Sequence, residues 1–205
     1  MEKSMRRYMR VGTILHVSYK QLGSGEGPIL ECLKKIVTDP YFEVVEVAHM
    51  KDAEVRKAAA DMIARGHMTS SYGGQGRMLG AGLNINDLNE EGRRKALASL
   101  KEGIDEAYEM GVEDFAFLAG RYEEETKEES FQALLKSTRE LCKYAKSKGD
   151  MPVLCEVFDY DMDKAALIGP APYAAKFAAD MRSTNNNFGL LVDLSHFPTT
   201  YETSK

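Results

Sequence analysis

Along the chain, short runs of apolar residues alternate with longer stretches in which apolar positions recur every three or four residues. The runs are Val11–Ser18 (VGTILHVS), Phe42–Ala48 (FEVVEVA), His67–Tyr72 (HMTSSY, the least apolar), Phe115–Ala119 (FAFLA), Val153–Phe158 (VLCEVF) and Phe188–Leu194 (FGLLVDL). They are rich in Val, Leu and Phe and bounded by Gly, Pro, Asn or Asp, which predicts buried strands. Between them, Pro28–Val37, Ala53–Arg65, Glu90–Met110, Glu128–Lys148 and Met162–Arg182 read as helices. The third carries Leu97, Leu100, Ile104 and Tyr108 at helical spacing. Gly66, Gly111 and Gly149 stand where three of these helices should stop. Gly73–Gly82 (GGQGRMLGAG) reads as a long mobile loop, and it lacks the Gly-Lys-Ser/Thr ending of a phosphate-binding loop.

Strand–helix units in series imply an α/β fold with a parallel sheet covered by helices. An open doubly wound sheet and a (β/α) barrel of TIM type both satisfy the pattern. No linker or composition break divides residues 1–205, so a single domain is expected. The 27 basic against 32 acidic residues leave a formal charge of −5, which argues against a strongly basic nucleic-acid module. Hydrophobic residues at 43% exclude a disordered chain. No apolar run approaches the ~20 residues of a membrane span. Cys32, Cys142 and Cys155 are too scattered for a disulfide scaffold or a structural zinc site. With a polar, basic start and no apolar leader, a cytoplasmic location is expected.

In parallel α/β folds the carboxyl ends of the strands face the ligand site. These ends supply His16, Ser18 and Tyr19 from strand one, Glu46 and His49 from strand two, and His67, Ser70, Ser71 and Tyr72 from strand three. Strand four ends at Gly120-Arg121-Tyr122, strand five carries Glu156 and then Asp159, and strand six carries Asp193 and then His196. All four histidines thus fall at strands or strand ends, none on a helix. Glu156 and Asp193 stand out because each is a carboxylate inside an otherwise apolar run. A buried lone carboxylate costs several kcal/mol unless paired or metal-bound, and two on neighbouring strands repel unless a cation lies between them. Oxygen donors with an added imidazole suit Mn²⁺, Mg²⁺, Co²⁺ or Zn²⁺. An ion pair of Glu156 with Arg121 or Lys20 would meet the same need without a metal. His16 and His49 also fit packing roles, Glu46 a helix-facing position, and Cys155 an inert thiol on the opposite face.

LLVDLSH on strand six, LCEVFD on strand five, FEVVEV on strand two and HMTSSY on strand three resemble the xylose-isomerase-like TIM-barrel superfamily. That group includes sugar and sugar-phosphate isomerases and epimerases and the endonuclease-four-type repair enzymes. The resemblance implies that Glu156 and Asp193 are metal ligands and that His196 contacts metal or substrate. It also implies an acid–base role for Glu156. His16, Glu46, His49, Ser71, Arg121 and His196 are the expected substrate-binding residues. The family barrel has eight strands, with a further metal-binding His and a catalytic Glu on the last two; six strands are present here. If the native chain continues past Lys205, a metal-dependent sugar isomerase or epimerase is expected; if it ends there, little or no turnover is expected, and its sheet edges would invite pairing with another chain.

The expected function is therefore a metal-dependent sugar or sugar-phosphate isomerase or epimerase, acting through an enediolate. The alternatives are a non-catalytic sugar- or partner-binding barrel and an endonuclease-four-like phosphodiesterase. Charge and the count of four histidines disfavour the latter. A dinucleotide enzyme is disfavoured too, because Gly23-Ser24-Gly25-Glu26-Gly27 departs from G-x-G-x-x-G.

Overall fold

The computed structural model of the protein describes residues 4–203. Two compact units are distinguished: one runs to Gly73 and includes Asp105–Asp114, and the other comprises Gly74–Ile104 and the chain from Phe115 onward. The first holds strands β1 (Gly12–Ile14), β2 (Val44–Val47) and β3 (Thr69–Gly73), paired in that order and parallel. The second holds β4 (Phe115–Leu118), β5 (Val153–Glu156) and β6 (Phe188–Leu191), also in order and parallel. The architecture is α/β with six parallel strands, as the alternation predicts. No described helix is long and apolar enough to cross a membrane.

The helices are α1 (Leu15–Ser18), α2 (Ile29–Val37), α3 (Ala53–Arg65), α4 (Gln75–Leu79), α5 (Glu90–Met110), α6 (Lys127–Lys148) and α7 (Ala171–Arg182). Their boundaries follow local chemistry. Asp52 caps α3 by accepting the N–H groups of Glu54 and Val55 at 2.8 and 3.4 Å, and Gly66 ends the helix. Helix α6 buries Phe131, Leu134, Leu135, Leu141 and Cys142, so one face enters the core at helical spacing. In the second unit Phe177 of α7 packs edge-on against Phe131 and Phe188, with centroids 5.9 and 5.3 Å away. In the first unit Leu33 and Ile36 of α2, Val45 and Val47 of β2, and Ala59 and Ile63 of α3 are buried.

Three expectations are corrected. The Val11–Ser18 run is strand only over Gly12–Ile14, because from Leu15 the backbone closes on itself, with Tyr19 N–H donating to the Leu15 carbonyl at 3.0 Å. The stretch Gly73–Gly82 is not loop throughout, since it contains α4. Gly74 explains the placement of that helix. Its N–H donates to the Ala116 carbonyl at 2.7 Å, and a Cβ there would come within 2.6 Å of the Phe115 ring. The last helix begins at Ala171 rather than Met162. Pro170 is extended, and Asp159 holds Met162–Ala165 in a turn through four backbone N–H groups.

Candidate metal centre

Alternation along β5 sends Cys155 and Glu156 to opposite faces. Cys155 is fully buried, and burial pushes its thiol pKa up; Cys142 is likewise pushed up, to about 12. Both thiols are buried in the core, as expected of Cys155. Glu156 lies in register between Leu118 of β4 and Leu191 of β6, a lone carboxylate in an apolar row. Its side chain is only 9% exposed. Asp193 stands just past β6 instead of within it, because the strand ends at Leu191 and Asp193 caps the following 3₁₀ turn. That turn, Leu194–Thr199, brings His196 back over the strand ends. The imidazole packs on the ring of Phe158, with centroids 4.3 Å apart.

The result is a cluster in which one donor atom from each of Glu156, Asp193 and His196 lies within 4.8 Å of the other two. His196 Nε2 stands 3.3 Å from Glu156 Oε1 and 3.7 Å from Asp193 Oδ2. The remaining carboxylate oxygens are occupied. Ser195 N–H donates to Asp193 Oδ1 at 2.8 Å, and Gln75 Nε2 donates to Glu156 Oε2 at 2.6 Å. Burial raises the Glu156 pKa above the usual carboxylate value. The bonds from Gln75 and His196 work against that, and Asp193 adds to it.

The other expected site residues distribute as follows. Arg121 belongs to the second unit and is exposed, while its carbonyl accepts from Asn86 Nδ2 at 3.0 Å. Among the described residues of the second unit, the bonded partners of Glu156 are Gln75 and His196, not Arg121. In the first unit Glu46 and Ser71 are register partners, both half-buried. His16 sits on α1, two residues past the carboxyl end of β1, with Nδ1 buried and without a hydrogen-bond partner among the described residues, and burial lowers its pKa. His67 lies before β3, at its amino end and with φ 54°, away from the carboxyl ends. His49 meets Glu106 through Nδ1 at 2.9 Å, and the buried Tyr72 hydroxyl donates to Glu106 Oε2 at 2.7 Å. Two contributors, Gln75 and Glu106, escape the reading of the sequence. Glu106 carries a weak signal, standing one helical turn before the buried Met110 of α5. Gln75, in a glycine-rich stretch, carries none.

Solved structures of related fold were found. A D-tagatose 3-epimerase-like protein aligns at 16% identity and TM-score 0.71, over 92% of this chain and 66% of that one. D-psicose 3-epimerase of Clostridium cellulolyticum H10, solved with D-tagatose, aligns at 16% identity and TM-score 0.69, over 95% and 67%. The IOLI protein, solved with a bound zinc, aligns at 13% identity and TM-score 0.72, over 95% and 66%. At such identities the likeness is one of fold, and the chain spans 66–67% of these proteins' length. No curated protein matches the sequence. The family profile described as a xylose isomerase-like TIM barrel matches residues 36–202. Match and parallel strand order agree, and the chain belongs to the xylose isomerase-like TIM-barrel family.

Proposed function

We propose that the protein is a metal-dependent isomerase or epimerase of sugars or sugar phosphates, working through an enediolate. The observation that carries this reading is the convergence of Glu156, Asp193 and His196 within 4.8 Å. Two ligands about 2.1 Å from one ion, at angles of about 90–110°, lie ~3.0–3.4 Å from each other. The 3.3 Å between His196 Nε2 and Glu156 Oε1 fits that spacing, and a small rotation of the half-exposed Asp193 closes its 3.7 Å. A set of two carboxylates and one imidazole suits Mn²⁺, Mg²⁺, Co²⁺ or Zn²⁺. The ion would supply Lewis-acid stabilisation of negative charge developing on the substrate's carbonyl oxygen.

The protein's own groups do the rest. Glu156 would take the proton from the carbon beside the carbonyl and, in an isomerisation, deliver it to the neighbouring enediolate carbon; inversion at a single carbon would need a second proton donor on the opposite face. Burial of Glu156 raises its affinity for a proton. His196, steadied by Phe158, orients a substrate hydroxyl. Arg121, exposed on the loop after β4, offers a bidentate donor to a phosphate. Two of the structural neighbours, an epimerase solved with D-tagatose and a protein solved with a bound zinc, support the sugar and the ion.

The test is solvent-deuterium wash-in at the carbon beside the carbonyl. Ketohexoses, ketopentoses and their phosphates are incubated with the chain and each of the four ions, beside Glu156→Gln. Ion-dependent exchange that Glu156→Gln abolishes is expected. Absence of exchange with every ion and sugar, or exchange that survives Glu156→Gln, would overturn the assignment.

A further inference from the structure

The two carboxylates of the centre are arranged alike, although they reach it from different elements. Asp193 has one oxygen fixed by a backbone N–H, that of Ser195 at 2.8 Å, and the other turned toward His196. Glu156 has one oxygen fixed by the Gln75 amide at 2.6 Å and the other turned toward His196. A carboxylate accepts hydrogen bonds and donates none, so the Gln75 group facing it is the NH₂. The Gln75 backbone is itself anchored, because Gly74 donates to Ala116 at 2.7 Å on β4 and admits no Cβ. A short helix in a glycine-rich stretch thus reaches the Glu156 carboxylate from a separate element and holds one of its oxygens.

We propose that Gln75 is a positioning residue that makes Glu156 a one-oxygen ligand, doing for Glu156 what the Ser195 backbone does for Asp193. This rests on the metal-centre reading and adds to it. With both outer oxygens held by hydrogen bonds, the protein would present three single-atom donors to an ion, and the held Glu156 oxygen keeps a second lone pair with which to accept a proton. Freed from Gln75, the Glu156 carboxylate can rotate and chelate with both oxygens, taking up a position the substrate would need.

Titration with Co²⁺ alone tests this, read by its visible d–d absorption and by calorimetry. The proteins are the chain itself, Gln75→Met, which keeps the side-chain length without an N–H, and Glu156→Gln. Circular dichroism confirms that each is folded. The chain is expected to bind Co²⁺ and Glu156→Gln to lose binding. Gln75→Met should bind about 10–100-fold more weakly, the usual effect of removing a partner of a metal ligand. Its spectrum should change toward the weaker, shifted bands of higher coordination, a signature that loss of packing alone does not produce. Gln75→Glu, which offers no donor in the same place, should not rescue the wild-type spectrum. Unchanged affinity and spectrum in Gln75→Met would overturn the role of Gln75 while leaving the metal centre intact. A chain that binds no Co²⁺ would overturn both.

Discussion

Replacing Asp159 with alanine should destabilise the protein through the loop that follows β5. Asp159 is 2% exposed, and its two oxygens accept the backbone N–H groups of Met162, Asp163, Lys164 and Ala165 at 2.7–3.1 Å. Its own carbonyl accepts Ala166 N–H at 2.7 Å, and Ala165 and Ala166 bridge to Tyr122 and Arg121 on the loop after β4. Burial alone would raise the Asp159 pKa, but the four N–H donors outweigh it and hold the carboxyl below its usual value. In Asp159→Ala, the donors on exposed Met162 and Asp163 can turn to water, while those on half-buried Lys164 and Ala165 cannot readily do so. Two stranded donors at about 1–1.5 kcal/mol each give a loss of about 2–3 kcal/mol. For a chain of this size that is a fall in Tm of about 4–12 °C. The pH dependence carries a sign. A carboxyl whose folded pKa lies below its unfolded value stabilises the fold above the unfolded value, near 3.9, and this is lost as pH falls through the folded pKa. The gap between wild type and Asp159→Ala, measured by thermal melts from pH 8 to 3, should stay constant down to about pH 5 and close below it. Equal Tm values at pH 7, or a gap that widens on acidification, would refute the reasoning.

Two further outcomes follow from the same contacts. Mn²⁺ at a hundredfold excess over its Kd should stabilise the protein by about 2.7 kcal/mol, a rise in Tm of about 5–11 °C. Because burial raises the Glu156 pKa, protons compete with the ion, so the rise should shrink as pH falls; Asp193→Asn should remove it, and a rise that grows in acid would contradict the site. Tyr72→Phe takes from buried Glu106 a 2.7 Å donor and should lower the unfolding free energy by about 1–3 kcal/mol, read as a lower urea midpoint at unchanged m; an unchanged midpoint would show that the hydroxyl contributes nothing.

Local chemistry makes much of this protein legible in its sequence. Six apolar runs become six parallel strands, because a strand buried on both faces must be apolar throughout and a helix covering it must be amphipathic. Ala53–Arg65 and Glu90–Met110 match their helices at both ends, since capping by Asp52 and the stops at Gly66 and Gly111 are local events. Glu156 and Asp193 stand out as carboxylates inside otherwise apolar runs, and His196 follows Asp193 by three residues. What the alternation of residue types leaves open is set by particular hydrogen bonds, some local and some between elements far apart in the chain. The turn at Leu15 that takes His16 onto a helix, and the delay of α7 to Ala171 by Pro170 and the Asp159 turn, each depend on bonds the alternation of residue types does not encode. Gln75 is the clearest case. Nothing in its neighbours marks it, and its bond to Glu156 spans 81 positions of sequence. Only the packing of Gly74 against β4 brings the amide to the carboxylate, and such packing is a property of the folded chain.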